Sequence, residues 1–131
     1  MNSCIFCKII NKEIKSYILY EDSYSIAFLD INPISEGHVL FVPKKHYTRL
    51  TEIPEKERES FFNSFMTFLS KFEEKISKNY NIINNSGKLA QQEIEHLHIH
   101  IIPRYGKEGV FLWNTHKLTE EEANKIIKKF L

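Results

Sequence analysis

Three histidines stand at alternate positions in His96-Leu97-His98-Ile99-His100, and Ile101-Ile102 follow. Successive side chains of a strand point to opposite faces, so His96, His98 and His100 line one face and Leu97, Ile99 and Ile101 the other. The apolar face belongs against a core. Half of the chain's six histidines on one strand face is more than solubility asks, because imidazole is a group chosen for its chemistry near neutral pH. Two chemistries are open. His-x-His is a common metal-ligand spacing, yet His96 and His100 lie roughly 13 Å apart at about 3.3 Å per residue and converge poorly on one ion. A histidine nucleophile, with two histidine neighbours for phosphate binding and proton transfer, suits the spacing better.

The elements that must hold this strand lie on either side of it. Ile5, Ile9 and Ile10 form a short helical stripe after Ser3, a capping residue type. Tyr17 to Tyr20 and Tyr24 to Leu29 are β-branched and aromatic runs around Glu21-Asp22-Ser23, which reads as a hairpin. Val39 to Val42, closed by Pro43, predicts a third strand, and Tyr80 to Ile83 and Leu97 to Ile102 two more. From Pro54 to about Lys78, Phe61, Phe62, Phe65, Phe68, Leu69, Phe72 and Ile76 recur at three-and-four spacing. That pattern predicts a long amphipathic helix with Pro54 in its first turn. Thr119 and Glu122 have the spacing of a capping box before Ala123, Ile126, Ile127 and Phe130, so a final helix follows. The expected architecture is α+β, an antiparallel sheet of about five strands with a long central helix and short terminal helices.

With 131 residues and no repeat, low-complexity tract or Gly/Ser linker, the chain reads as one domain over residues 1–131. A net charge of +1 leaves no excess for gripping a nucleic-acid backbone. No apolar stretch approaches the roughly 20 residues that a membrane span needs, so no membrane partner is expected. Met1-Asn2-Ser3-Cys4 lacks the basic-then-apolar layout of a secretory signal. Two cysteines are too few for a disulfide framework, and a cytoplasmic protein is expected.

The triad does not stand alone. Cys4-Ile5-Phe6-Cys7-Lys8-Ile9-Ile10, Ala27-Phe28-Leu29-Asp30-Ile31-Asn32-Pro33, the segment from Gly37-His38 to Lys45-His46, and Asn85-Ser86-Gly87 leading to Gln92 follow one another in order. Together with His-x-His-x-His and Pro103-Arg104 they resemble the histidine triad (HIT) family. The likeness spans about residues 3–105, is nearest to the small bacterial Hint-like hydrolases, and leaves residues 106–131, with Trp113 and His116, as a variable tail. The resemblance implies that His98 attacks the α-phosphorus of a nucleotide and forms a nucleotidyl-histidine, a neutral imidazole nitrogen being a good nucleophile near pH 7. It implies phosphate support and proton handling by His100 and His38, and hydrogen bonds to phosphoryl oxygens from Gln92 and nearby amides. Asp30 is implied to bind the ribose and Asn85 the sugar or phosphate. Phe6, Ile9, Ile14, Phe28 and Ile31 are implied to form an apolar slot for the base, although such residues serve a core equally well. The implied substrates are purine nucleoside 5′-phosphoramidates or related adenylates, with no organic cofactor. The implied assembly is a homodimer joining two sheets edge to edge.

Cys4 and Cys7 have the two-residue gap of zinc ligands, and His46 and His96 could complete a Cys₂His₂ tetrahedron, as in bacterial members that this chain resembles. With all four positions filled the zinc would be structural, and His96 a ligand rather than a catalytic group. A redox Cys-x-x-Cys pair and two inert thiols are the other readings; the spacing favours zinc. Three residues depart from the family's pattern. Gln91 stands where relatives usually carry Gly, so a positive φ there would strain it. Glu93 replaces Ser or Thr and would repel a phosphate unless turned away. Lys15 replaces a usual Pro. Three function classes follow: a nucleotidyl hydrolase, a nucleotide-binding scaffold with little turnover, and a metalloprotein whose triad holds a catalytic ion.

Overall fold

Five strands, β1 (Ile18–Glu21), β2 (Ser25–Leu29), β3 (Val39–Pro43), β4 (Tyr80–Ile83) and β5 (Ile99–Pro103), make one sheet in the order β1-β2-β3-β5-β4. All four neighbouring pairs are antiparallel, as expected from the sequence. The computed structural model describes residues 3–109, 111 and 114–131, so Trp113 lies outside them. β2 and β3 are apolar at nearly every position because both faces of the sheet are covered. On one face Ala27, Val39, Phe41, Leu97, Ile99 and Ile101 meet Phe61, Phe65, Phe68 and Phe72 of the long helix α2 (Glu55–Lys75). On the other, Ile26, Phe28, Leu40 and Val42 meet Phe6 and Ile9 of a short helix α1 (Ile5–Ile10). The histidine face of β5 shares this second side.

The hairpin turn pivots on Asp22. Its carboxylate accepts from the amides of Tyr24 and Ser25 at 2.8 Å, from Tyr20 Oη at 2.6 Å and from Ser64 Oγ of α2. Four donors on one partly buried carboxylate tie the β1–β2 hairpin to the helix.

Some boundaries move. The cap of α1 is Cys4, whose Sγ accepts from the Cys7 amide at 3.4 Å, while Ser3 is exposed. Pro54 is the N-cap of α2, in an extended backbone (ψ 145°), rather than a residue of its first turn. β5 begins at Ile99, not Leu97, because the Leu97 amide leaves the ladder and donates to Tyr47 O at 2.6 Å. The last helix, α3 (Glu120–Phe130), is capped by Thr119 Oγ1 accepting from the Glu122 amide, and the Glu122 carboxylate lies 3.0 Å from His116 Nε2. None of its residues is buried. Among the described residues no helix is long and apolar enough to cross a membrane.

Candidate active site and metal centre

His98 sits just ahead of β5, buried, with its ring edge-on to Phe6 (centroids 5.1 Å apart, 84° between planes). Its Nδ1 lies 2.7 Å from the carbonyl oxygen of His96. A carbonyl only accepts, so the proton is on Nδ1 and the lone pair on Nε2. The backbone is pinned as well, because Asn84 Nδ2 donates to His98 O at 3.1 Å just past the end of β4. Sequence reasoning missed Asn84, which lies outside the motifs and acts through the His98 carbonyl.

A second chain of bonds fixes the other two rings. The Ile34 amide donates to His38 Nδ1 at 3.0 Å, which places the His38 proton on Nε2. That Nε2 donates to His100 Nδ1 at 3.0 Å and lies 3.6 Å from Asp30 Oδ2. His100 therefore keeps its proton on Nε2, and its ring centroid is 5.1 Å from that of His98. Burial holds His100 down to about 4, with charge on His98 and His38 acting the same way and Asp30 opposing. Burial also lowers His38, again against Asp30. Both rings stay neutral at pH 7. The turn that presents His38 passes through Gly37 at φ +95°, where an added Cβ would meet Ile76 Cγ2 at 3.1 Å.

Asp30, His38 and His100 are close enough to suggest an ion, with one ligand atom from each within 4.8 Å of the others. The bonding pattern rejects it. His38 Nδ1 already accepts an amide, so a second lone pair on Nε2 would require an imidazolate. An ion held by Asp30, His38 and His100 does not fit this geometry.

These rings open onto a cleft of 1090 Å³, ample for a nucleotide. Every residue assigned to substrate in the sequence lines it: Phe6, Ile9, Ile14, Phe28, Ile31, Asp30 and Asn85, with His38, Gln92, His98 and His100. Ile14 and Ile31 are 37% and 77% exposed, so for these two a core role is out. Asp30 Oδ1 accepts the Asn32 amide at 2.8 Å.

Gln92 needs a correction. Its Nε2 donates to Thr48 O (3.0 Å) and Ile94 O (3.2 Å), and its Oε1 accepts the Gly87 amide (2.8 Å). Both amide protons are spent on backbone, so the side chain has none for a phosphoryl oxygen. Gln92 shapes the loop beside the phosphate position. Gln91, just before it, takes φ +69° and ψ 29°, the left-handed conformation foreseen for that position. Glu93, Lys15 and Lys88 also line the cleft.

Behind Phe6 lies the second cluster, in which ligand atoms of Cys4, Cys7, His46 and His96 all fall within 4.8 Å of one another. His96 Nδ1 is 3.4 Å from Cys4 Sγ and 3.6 Å from Cys7 Sγ, and His46 Nδ1 is 3.2 Å from Cys7 Sγ. His96 Nε2 donates to Pro43 O at 2.9 Å, which leaves the Nδ1 lone pair facing the sulfurs. A tetrahedron with Zn–S near 2.3 Å and Zn–N near 2.05 Å has S···N edges of about 3.6 Å. The donor set, its tautomer and its spacing fit a zinc ion with no vacant position. Burial, aided by the neighbouring Cys4 sulfur, pushes the Cys7 thiol up to about 11, so without a cation this sulfur stays protonated.

Known proteins share this chain's sequence and fold. A family model described as HIT domain matches residues 11–107. An uncharacterized HIT-like protein of Methanocaldococcus jannaschii is 49% identical over 106 residues, covering 81% of this chain and 82% of its own. The adenosine 5′-monophosphoramidase HNT1 of Saccharomyces cerevisiae is 39% identical, covering 98% of this chain and 81% of its own. A crystal structure of a HIT family member from Bacillus subtilis superposes with a TM-score of 0.86 at 36% identity, covering 98% of this chain and 97% of that one. The chain belongs to the HIT domain family.

Proposed function

We propose that the protein hydrolyses purine nucleoside 5′-phosphoramidates and related adenylates through a nucleotide bonded to His98. The observation that carries this reading is the His98 ring itself. Nδ1 is tied to the His96 carbonyl, so the lone pair on Nε2 belongs to a ring that opens on the cleft. In the first half-reaction Nε2 forms a bond to the α-phosphorus and the P–N bond of the substrate breaks, the amine leaving with a proton supplied by solvent. In the second, water attacks phosphorus and gives up a proton to solvent, the P–Nε2 bond breaks and the nucleoside monophosphate is released. The His98 Nδ1–H bond to a carbonyl stabilises the cationic ring while it carries the nucleotide. His100 offers Nε2–H to phosphoryl oxygen, Asp30 Oδ2 accepts from the ribose, and the apolar wall from Phe6 to Ile31 takes the base. The monophosphoramidase name of the yeast relative supports the substrate class.

The same reading includes a structural zinc on Cys4, Cys7, His46 and His96, a reducing cytoplasm that keeps these two sulfurs out of a disulfide, and a homodimer formed through a sheet edge. With His98→Ala, release of AMP from adenosine 5′-phosphoramidate is expected to disappear while AMP binding, followed by calorimetry, largely persists. Wild-type protein that binds AMP but turns over no nucleoside phosphoramidate or adenylate would instead make the chain a binding scaffold.

A further inference from the structure

The metal cluster shares its backbone with both halves of the cleft. Cys4 caps α1 and Cys7 lies within it, while Phe6 and Ile9 of the same helix line the base end of the cleft. His96 precedes His98 by two residues, and its carbonyl holds the His98 Nδ1 proton. The Phe6 ring stands edge-on to both histidines, at 5.9 Å from His96 and 5.1 Å from His98. Ligands, slot wall and nucleophile therefore sit on two short segments that the cluster ties together. Two of the four ligands are thiols one helical turn apart, within reach of each other, and Cys4 is partly exposed to a small oxidant.

We propose that Cys4 and Cys7 form a redox-modification site at which a hydroperoxide turns the nucleotide site off. It rests on the zinc reading above. The Cys4 sulfur bonds to one peroxide oxygen, the O–O bond breaks, and an alcohol or water leaves with a proton. The Cys7 sulfur then attacks the sulfenic sulfur, the S–S bond forms, and the S–O bond breaks to release water. Two thiols lose two electrons in total, and the peroxide takes up both. The two imidazoles that remain are too few ligands to keep the ion. His96, with no exposed surface, loses the partner of its Nδ1. The helix carrying Phe6 and Ile9 is then joined to itself, no longer to the segments of His46 and His96.

The test titrates hydrogen peroxide into wild-type protein purified under reducing conditions with its metal content measured first. Metal release is followed with a chromogenic chelator, thiols by alkylation and peptide mapping, and AMP affinity by calorimetry. One metal is expected to leave per Cys4–Cys7 disulfide, with AMP affinity falling about tenfold and returning when reductant and zinc are both supplied. The double substitution Cys4→Asp with Cys7→His keeps four ligand side chains without a thiol. Its metal content and AMP affinity are expected to ignore peroxide, which separates the effect from oxidation elsewhere. Reduced protein with no metal sinks the zinc reading and this proposal together. Metal that stays bound under peroxide, or AMP affinity unchanged once the disulfide has formed, overturns the proposal alone. None of these readouts depends on turnover, so failure of the hydrolase reading is seen separately.

Discussion

His38 and His100 are linked so that neither can take a proton without losing a bond. His38 Nδ1 is occupied by the Ile34 amide, and His100 Nδ1 by His38 Nε2–H. Burial holds His100 at about 4, against about 6.5 in an unfolded chain. The unfolded chain therefore binds the proton first as pH falls, and the stability this ring contributes is present above about 6.5 and lost on the way to about 4. Followed by NMR, the His100 ring is expected to stay neutral from pH 8 to about 6 and to take up its proton only toward 4; a midpoint near 6.5 for this ring would contradict the linked pair. Asn84 makes a different prediction. Asn84→Ala removes the donor to His98 O, and kcat is expected to fall about tenfold with KM little changed, since the residue positions the nucleophile and lines no part of the cleft. Alternation and motif order singled out these rings in the sequence, because neither depends on tertiary detail. The sequence did not show that the Gln92 amide is spent on Thr48, Ile94 and Gly87, because the Thr48 carbonyl, 44 residues away, leaves no local signature and the two nearer contacts depend on how the loop folds.

Among the elements, α2 and α3 carry the same three-and-four apolar spacing and have opposite fates. Phe61, Phe65, Phe68 and Phe72 are buried against the sheet, and the Phe41 ring of β3 lies 5.1–5.8 Å from three of them. Phe41→Ala is expected to cost about 3–5 kcal/mol in urea unfolding. Phe130, 85% exposed on α3, is expected to change stability by less than about 0.5 kcal/mol when replaced by Ala. Periodicity foretold both helices, but whether a stripe has a surface to meet is decided by topology. The loop before the triad carries a local cost of its own. Gln91 holds φ +69° with an exposed side chain, so Gln91→Gly is expected to stabilise the protein by about 1 kcal/mol in the same assay. An unchanged or lower midpoint would mean that the side chain makes a compensating contact.

Across the whole molecule, one short segment serves two sites. His96 faces the sulfurs, His98 and His100 face the cleft, and His46 and His38 join them from either end of β3. The fold class and the common face of the three histidines were legible from residue spacing, and the grouping of Cys4, Cys7, His46 and His96 from the Cys-x-x-Cys gap and the family resemblance. What sequence could not supply was the direction of each ring proton, which follows from carbonyls and amides that only the folded chain brings close. The outer edges of β1 and β4 have no strand partner among the described residues; sedimentation is expected to give twice the 15.6 kDa chain mass, and a monomer would discard edge pairing. The central claim is that His98 Nε2 bonds to phosphorus. Wild-type protein quenched during turnover of adenosine 5′-phosphoramidate and mapped by mass spectrometry is expected to carry one adenylyl group on the peptide containing His98, and His98→Asn protein none. An adduct on another residue, or steady turnover with no adduct trapped at any quench time, would contradict it.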